Sequence, residues 1–192
     1  MLWIRAESIH SIGVMQEISL YLSSKLVLMP IHDSFIAELQ QEAVGTRKML
    51  ASMPSYPDWK PHEKSMTLGN LVRHIAELPG WLSFTINSDE LDFSKTPYTP
   101  KPVSNAEEAV AAFDKAVAKA LEDLRQTDDV AMMQHWTLRD GDKIHFTLPK
   151  VAVLRSMVFN HLIHHRGQLS VYLRLLDVPL SGVYGPTADD KS

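Results

Sequence analysis

The sequence contains no cysteine. That absence excludes disulfides, thiolate metal ligands and a cysteine nucleophile. Any metal site is left to nitrogen and oxygen donors, with histidine the natural ligand for a transition metal. An excess of positive charge is also missing: 19 Lys and Arg stand against 23 Asp and Glu, a formal net charge of −4. Such a chain has no general attraction for a phosphate backbone, and no Lys/Arg run marks a membrane-surface patch. Nor is there a run approaching the roughly 18 to 20 apolar residues of a membrane span. Glu7, His10 and Glu17 interrupt the apolar residues near the start, so this stretch does not read as a secretory signal. The expected location is the cytoplasm, with a small-molecule substrate as partner and neither nucleic acid nor membrane. Gly-rich phosphate loops, nucleophile elbows and the HExxH motif are absent as well.

The 192 residues are 45% hydrophobic and 22% charged, which suits one globular domain with a single sizeable core. Residues 1–29 carry no clear helical stripe, and Met29-Pro30 reads as a natural boundary. We expect an N-terminal extension over 1–29, either an over-long gene start or an appended arm, with an extra helix packed on the outside as the alternative, and a helical domain over 30–192. From Asp33 to Met53, Ile36, Leu39, Ala43, Leu50 and Met53 recur at helical steps. A second helix is expected from Ser65 or Thr67, with Leu68, Leu71, Ile75, Leu78 and Leu82 buried and a kink at Pro79-Gly80. Residues 88–103 read as a long loop. Ser104 and Glu107 form a capping box opening a third helix to about Arg125, with Val110, Phe113, Val117, Leu121 and Leu124 inward. Asp140-Gly141-Asp142 predicts a β-hairpin, placing Leu138 opposite Ile144 and Trp136 opposite Phe146. The last helix is expected from Pro149 to about Leu176.

The informative segment is Asn160-His161-Leu162-Ile163-His164-His165-Arg166-Gly167-Gln168. Residues four apart on a helix lie about 40° apart around the axis and roughly 6 Å along it, so His161 and His165 can meet one ion. The stripe Leu154, Val158, Leu169, Tyr172 and Leu176 carries 161 and 165 inward, and leaves His164 on a wetter flank with Asn160, Gly167 and Arg174. A third ligand must come from another helix, and His74, between Leu71 and Leu78, is the candidate. Bundle cores are a known place for such sites, and three His ligands leave room for water or substrate. A lone His on an apolar stripe is more often a hydrogen-bonded core residue; the i, i+4 pair shifts that balance, because two buried imidazoles otherwise need separate partners. Glu77 can serve as a carboxylate orienting an imidazole, as an oxygen ligand, or as a solvated helix residue. Arg166 and Gln168 are candidates to flank the pocket, Arg166 equally an ion-pairing surface residue. Trp81 is a candidate for a pocket wall or the core.

Taken together, LVRHIAELPGW, WTLRDGDKIHF and NHLIHHRGQLSVYLRLLDVPLSGVYGPTADD resemble the DinB (damage-inducible) family over about residues 31–190, most specifically in HLIHHRGQL…YLRLLDVP. The resemblance implies an all-α fold, a four-helix bundle of up-down-down-up order with a small β-hairpin before the last helix. It implies a divalent-metal site of His74, His161 and His165, and a homodimer. Related proteins include transferases and isomerases in which the metal activates a low-molecular-weight thiol. Three functions follow as expectations: a thiol-dependent metal transferase, a metal-dependent hydrolase with Glu77 as the weak nominee for base, and a non-catalytic metal-binding stress or partner protein. Imidazole ligation suits zinc, nickel, iron and copper alike, and zinc, nickel or iron is the expected ion.

Overall fold

Helix α1 spans Ile31–Ala51 and buries Phe35, Leu39, Glu42, Gly45, Thr46, Met49 and Leu50. This face is rotated from the expected one: Ile36 and Ala43 lie at its margin, and two polar residues sit near its centre. An apolar-periodicity reading passes over them because their burial depends on a partner elsewhere in the chain. The computed structural model describes residues 29–96 and 98–190. The expected extension over residues 1–29 therefore lies outside the described residues, save Met29.

Helix α2 (Leu68–Asn87) starts where expected, with the Thr67 hydroxyl accepting from the Asn70 amide at 3.3 Å. Its apolar stripe of Leu68, Leu71, Ile75, Leu78 and Leu82 is fully buried, and the helix runs on through Pro79. Helix α3 (Ala106–Gln126) is capped one residue later than the sequence suggests. Asn105 Oδ1 accepts from the Glu108 amide at 2.8 Å, while the Glu108 carboxylate accepts from the Ser104 amide at 2.9 Å. This resembles a capping box with Asn105 and Glu108 in place of Ser104 and Glu107, except that the carboxylate accepts from the amide preceding the cap residue. A single-turn helix α4 (Asp129–Met132) follows.

The stretch 88–103, expected as loop, contains strand β1 (Glu90–Asp92), which pairs parallel with β2 (His135–Asp140). Three residues are too few to show an alternating pattern, so only the partner defines this strand. Strand β3 (Lys143–Pro149) pairs antiparallel with β2, in the order β1-β2-β3. The hairpin is present, but its register differs from expectation: Trp136 lies opposite Leu148, Leu138 opposite Phe146, and Arg139 opposite Ile144. An irregularity between Leu138 and Arg139 absorbs the difference. The turn closes on Gly141 and Asp142, with Gly141 at φ +57°, where a residue without Cβ is unstrained.

Asp92 ties β1 to that turn. Its Oδ1 accepts from the Ser94 hydroxyl (2.7 Å), the Gly141 amide (2.9 Å) and the Ser94 amide (3.0 Å). The Ser94 hydroxyl and then the Gly141 amide hold this carboxyl well below the usual carboxylate range. A depressed folded-state pKa means that the unfolded chain binds the proton first as pH falls, so this stabilisation is present above about pH 4 and lost below it. Asp92→Asn is accordingly expected to lower the melting temperature at pH 7 and to flatten its fall between pH 4 and pH 2. Thermal melts across that range check this; parallel curves for the two proteins would refute it.

The last helix follows Pro149 as expected, in three sections: α5 (Lys150–Val153), a π-helical turn (Leu154–Phe159) and α6 (Asn160–Leu175). The π turn has no counterpart in the helical pattern of the sequence. It is closed by the Asn160 amide donating to the Arg155 carbonyl, five residues back. Leu154, Val158, Phe159, Leu162, Leu169 and Leu173 are fully buried against the other long helices. Trp81 packs on all three apolar clusters of the core. The described domain is thus mainly helical with one small three-stranded sheet. No helix among the described residues is long and apolar enough to cross a membrane.

Candidate metal centre

His74 sits in the middle of α2, with Arg73 and Ile75 buried on either side. His161 and His165 occupy the first turns of α6, directly after the π turn. The contact between these two helices brings the three rings together. His161 Nε2 lies 3.2 Å from His74 Nε2 and 2.8 Å from His165 Nε2. One ligand atom from each residue falls within 4.8 Å of the other two. His165 is buried, and His74 and His161 are half-buried, so the cluster opens toward solvent on their side.

The protonation pattern follows from the other ring nitrogens. His161 Nδ1 lies 3.3 Å from the Met157 carbonyl, and His165 Nδ1 lies 2.7 Å from Gln168 Oε1. Carbonyl oxygens only accept, so in each ring Nδ1 carries the hydrogen and donates it. The Nε2 atoms of His161 and His165 are left with bare lone pairs facing one another. Burial, and then the neighbouring His165 and His161 rings, lower the His74 pKa to about 4. Burial likewise lowers His161 and His165. At neutral pH all three rings are therefore neutral, the state in which imidazole ligates a metal.

Convergent, half-desolvated lone pairs repel unless a cation sits between them, and the spacing suits one. With metal–nitrogen bonds of about 2.0–2.1 Å, adjacent ligand atoms lie about 3.3 Å apart in a tetrahedron and about 2.9 Å apart at right angles. The observed 3.2 and 2.8 Å from His161 are separations that a single ion can bridge. The donor set of three neutral nitrogens with no thiolate is one that borderline divalent transition metals accept. The three histidines could thus hold a metal ion.

The other candidate residues divide sharply. His164 points outward and is exposed, as are His62, His135 and His145. His32 lies beside Asp33 and Asp129 and is not among the three converging rings; His10 lies outside the described residues. Gln168 takes a flanking position, as the acceptor that orients His165. Glu77 makes no hydrogen bond to an imidazole: it is a partly solvated carboxylate, 36% exposed, whose Oε2 accepts from both the Arg73 guanidinium and the Tyr98 hydroxyl. Arg166 is not a surface residue. It is buried, with its guanidinium on the Glu42 carboxylate at 2.6 Å. Trp81 is both core and wall, lining a cavity of about 250 Å³. Two contributors left no sequence signal: the Met157 carbonyl, which belongs to the backbone, and Tyr98, which lies in a loop without periodicity.

Orientation by Gln168 has a measurable consequence. Removing a hydrogen-bonding partner of a ligating imidazole typically costs 10–100-fold in metal affinity, a loss of about 1.4–2.7 kcal/mol. Gln168→Ala is expected to weaken metal binding within that range, and Gln168→Glu to retain it. Competitive chelator titration reads both; equal affinity in all three proteins would refute the role.

Comparison with known proteins agrees with this architecture. The chain is similar to the Bacillus subtilis (strain 168) protein named Uncharacterized protein YrdA, at 26% identity over 163 residues, covering 82% of this chain and 90% of that protein. Its fold resembles the crystal structure of a DinB-like protein, YjoA, from Bacillus subtilis, with a TM-score of 0.61 at 18% identity, covering 78% of this chain and 97% of the other. A DinB-like protein from Bacillus cereus ATCC 10987 superposes with a TM-score of 0.60 at 24% identity, covering 79% and 97% of the two chains. The DinB family model matches residues 27–191, a span that takes in every described residue and all three converging histidines, and the chain therefore belongs to the DinB family.

Proposed function

We propose that this protein holds one divalent ion (zinc, nickel or iron) on Nε2 of His74, His161 and His165, and acts as a transferase that joins a low-molecular-weight thiol to an electrophilic small molecule. The single observation that supports this most is the convergence of the three Nε2 atoms, two of them stripped of hydrogen by the acceptors behind the rings. When bound, the ion supplies a Lewis acid that lowers the pKa of a sulfur ligand. The chain supplies the rest. Burial keeps the imidazoles neutral, Met157 and Gln168 hold two of them in the ligating tautomer, and the half-buried side of His74 and His161 gives small molecules access. No side chain near the triad is assigned as a general base.

The hydrolytic alternative loses support, because Glu77, its nominee for base, is engaged by Arg73 and Tyr98. A purely structural ion remains the competing reading; three protein ligands on a solvent-facing cluster favour an open coordination sphere over a closed one. The up-down-down-up order of a four-helix bundle, the homodimer, a cytoplasmic location and the division into an extension over 1–29 and a domain over 30–192 belong to the same proposal.

The test is elemental analysis of protein isolated without chelators or an affinity tag, followed by incubation of the loaded protein with bacillithiol, mycothiol or glutathione and an electrophile. Turnover above the His161→Ala control is expected with one of these thiols. Stoichiometric metal without turnover on any thiol would support the structural ion instead.

A further inference from the structure

The cavity of about 250 Å³ beside Trp81 is lined by Glu77, Gly80, Trp81 and Phe84 of α2 and walled by Leu91, Phe93, Thr96 and Tyr98. It lies on the helix that carries His74. At about 1.5 Å per residue, Glu77 is one turn beyond His74, and the lining extends about 10 Å further to Phe84. Trp81, seven residues after His74, projects within about 20° of it around the axis. The cavity is therefore a slot that starts one turn from the histidine cluster and runs away from it along α2.

Its chemistry is uniform. Four aromatic rings face it, and three of them are still open to solvent: Phe84 and Phe93 are each 39% exposed, and Tyr98 51%. Its one charged lining group, Glu77, already accepts from the Arg73 guanidinium and the Tyr98 hydroxyl, and the guanidinium lies over the Tyr98 ring at 5.5 Å. A charged ligand would meet a carboxylate whose charge Arg73 already offsets, and taking a charge out of water without a full counter-charge is costly. Gly80 has nothing within 4 Å of where a Cβ would stand, so the helix leaves this stretch of the slot empty. The volume suits a single ring system; a protein partner needs a face of about 800 Å² rather than a slot of this size.

We propose that this slot binds the uncharged aromatic body of a small molecule. With the function proposed above, on which only this last step rests, the slot selects aromatic electrophiles and points their reactive end toward His74.

The test is a ligand-observed NMR titration with toluene and indole, with benzoate and benzylamine as charged comparators. Toluene and indole are expected to bind saturably, and each comparator about tenfold more weakly or worse, a difference of at least 1.4 kcal/mol. Gly80→Leu fills the slot and should weaken toluene binding about tenfold or more, with metal affinity unchanged and a melting temperature equal or higher, since leucine favours helix over glycine. Phe93→Ala, which leaves the helices untouched, should weaken toluene several-fold and serves if Gly80→Leu folds poorly. The proposal is overturned if neither probe saturates, if the charged comparators bind equally well, or if both variants bind toluene like wild type. Repeating the titration on chelator-treated protein and on His161→Ala separates the two ideas. Toluene binding that persists where metal binding fails leaves the slot standing without the metal function, and intact metal binding without toluene binding does the reverse.

Discussion

His161→Ala is expected to lower divalent-metal affinity by two to three orders of magnitude and to remove the rise in melting temperature that metal produces. His161 is the shared vertex of the cluster, because both short Nε2–Nε2 separations, 3.2 Å to His74 and 2.8 Å to His165, involve it. A binding free energy on the order of 10 kcal/mol spread over a few ligands loses several kcal/mol with one of them. The metal-free proteins should behave differently. In the absence of an ion, His161 presses a lone pair toward that of His165, so the alanine variant should be at least as stable as metal-free wild type. Stability then separates only when metal is added, by the ordinary linkage between ligand concentration and folding. Isothermal titration and melts with and without zinc read both halves. Wild-type affinity in the variant would remove the metal site, and equal melting shifts would place the ion elsewhere.

Arg166→Ala is expected to cost about 3–5 kcal/mol of folding stability, the usual consequence of stranding one member of a buried ion pair. The Arg166 side chain is 3% exposed and the Glu42 side chain 8%. Besides the carboxylate, it donates to Thr46 Oγ1 at 3.1 Å, to the Glu42 carbonyl at 3.2 Å and to the Tyr184 hydroxyl. Tyr184 in turn donates to the Glu42 carboxylate, so one network joins α6, α1 and the C-terminal tail. The alanine variant leaves Glu42 buried with Tyr184 as its remaining polar partner. Replacing both charges, as in Arg166→Met with Glu42→Leu, should recover most of the loss, because an apolar pair of similar volume carries no desolvation penalty. Urea denaturation of the single and double variants checks this. A loss under about 1 kcal/mol for Arg166→Ala, the size of an exposed pair, would show that the network contributes little.

This network also marks a limit of pattern reading. Glu42 and Thr46 are polar residues on the buried face of α1, and hydropathy alone turns that face toward Ile36 and Ala43. Arg166, read from HHRGQ, fits the surface equally well, since nothing within that segment names an acid 124 residues away. The hairpin teaches the same lesson at shorter range. Asp140-Gly141 announces a turn correctly, but a loop one residue shorter and an irregularity after Leu138 slide Ile144 from opposite Leu138 to opposite Arg139. Strand β1 is invisible for a related reason: a three-residue strand is defined by its neighbour and not by its own residues. At the site, by contrast, His161 and His165 are legible as a pair because four residues on a helix make a local geometric unit.

By itself, then, the sequence determined the features set by spacing along one element. These are the long helices, a cap at Ser65 or Thr67, the stripe on α2, the inward pair His161 and His165, the outward His164, and a metal chemistry without thiolate, from the lack of cysteine. Only the tertiary structure decided what meets across elements: His74 against the pair, Glu77 committed to Arg73 and Tyr98, Arg166 buried on Glu42, and a π turn just before His161. The physical reason is that helical phase is dictated by neighbours three and four residues away, whereas a polar group's partner is chosen by how distant segments pack.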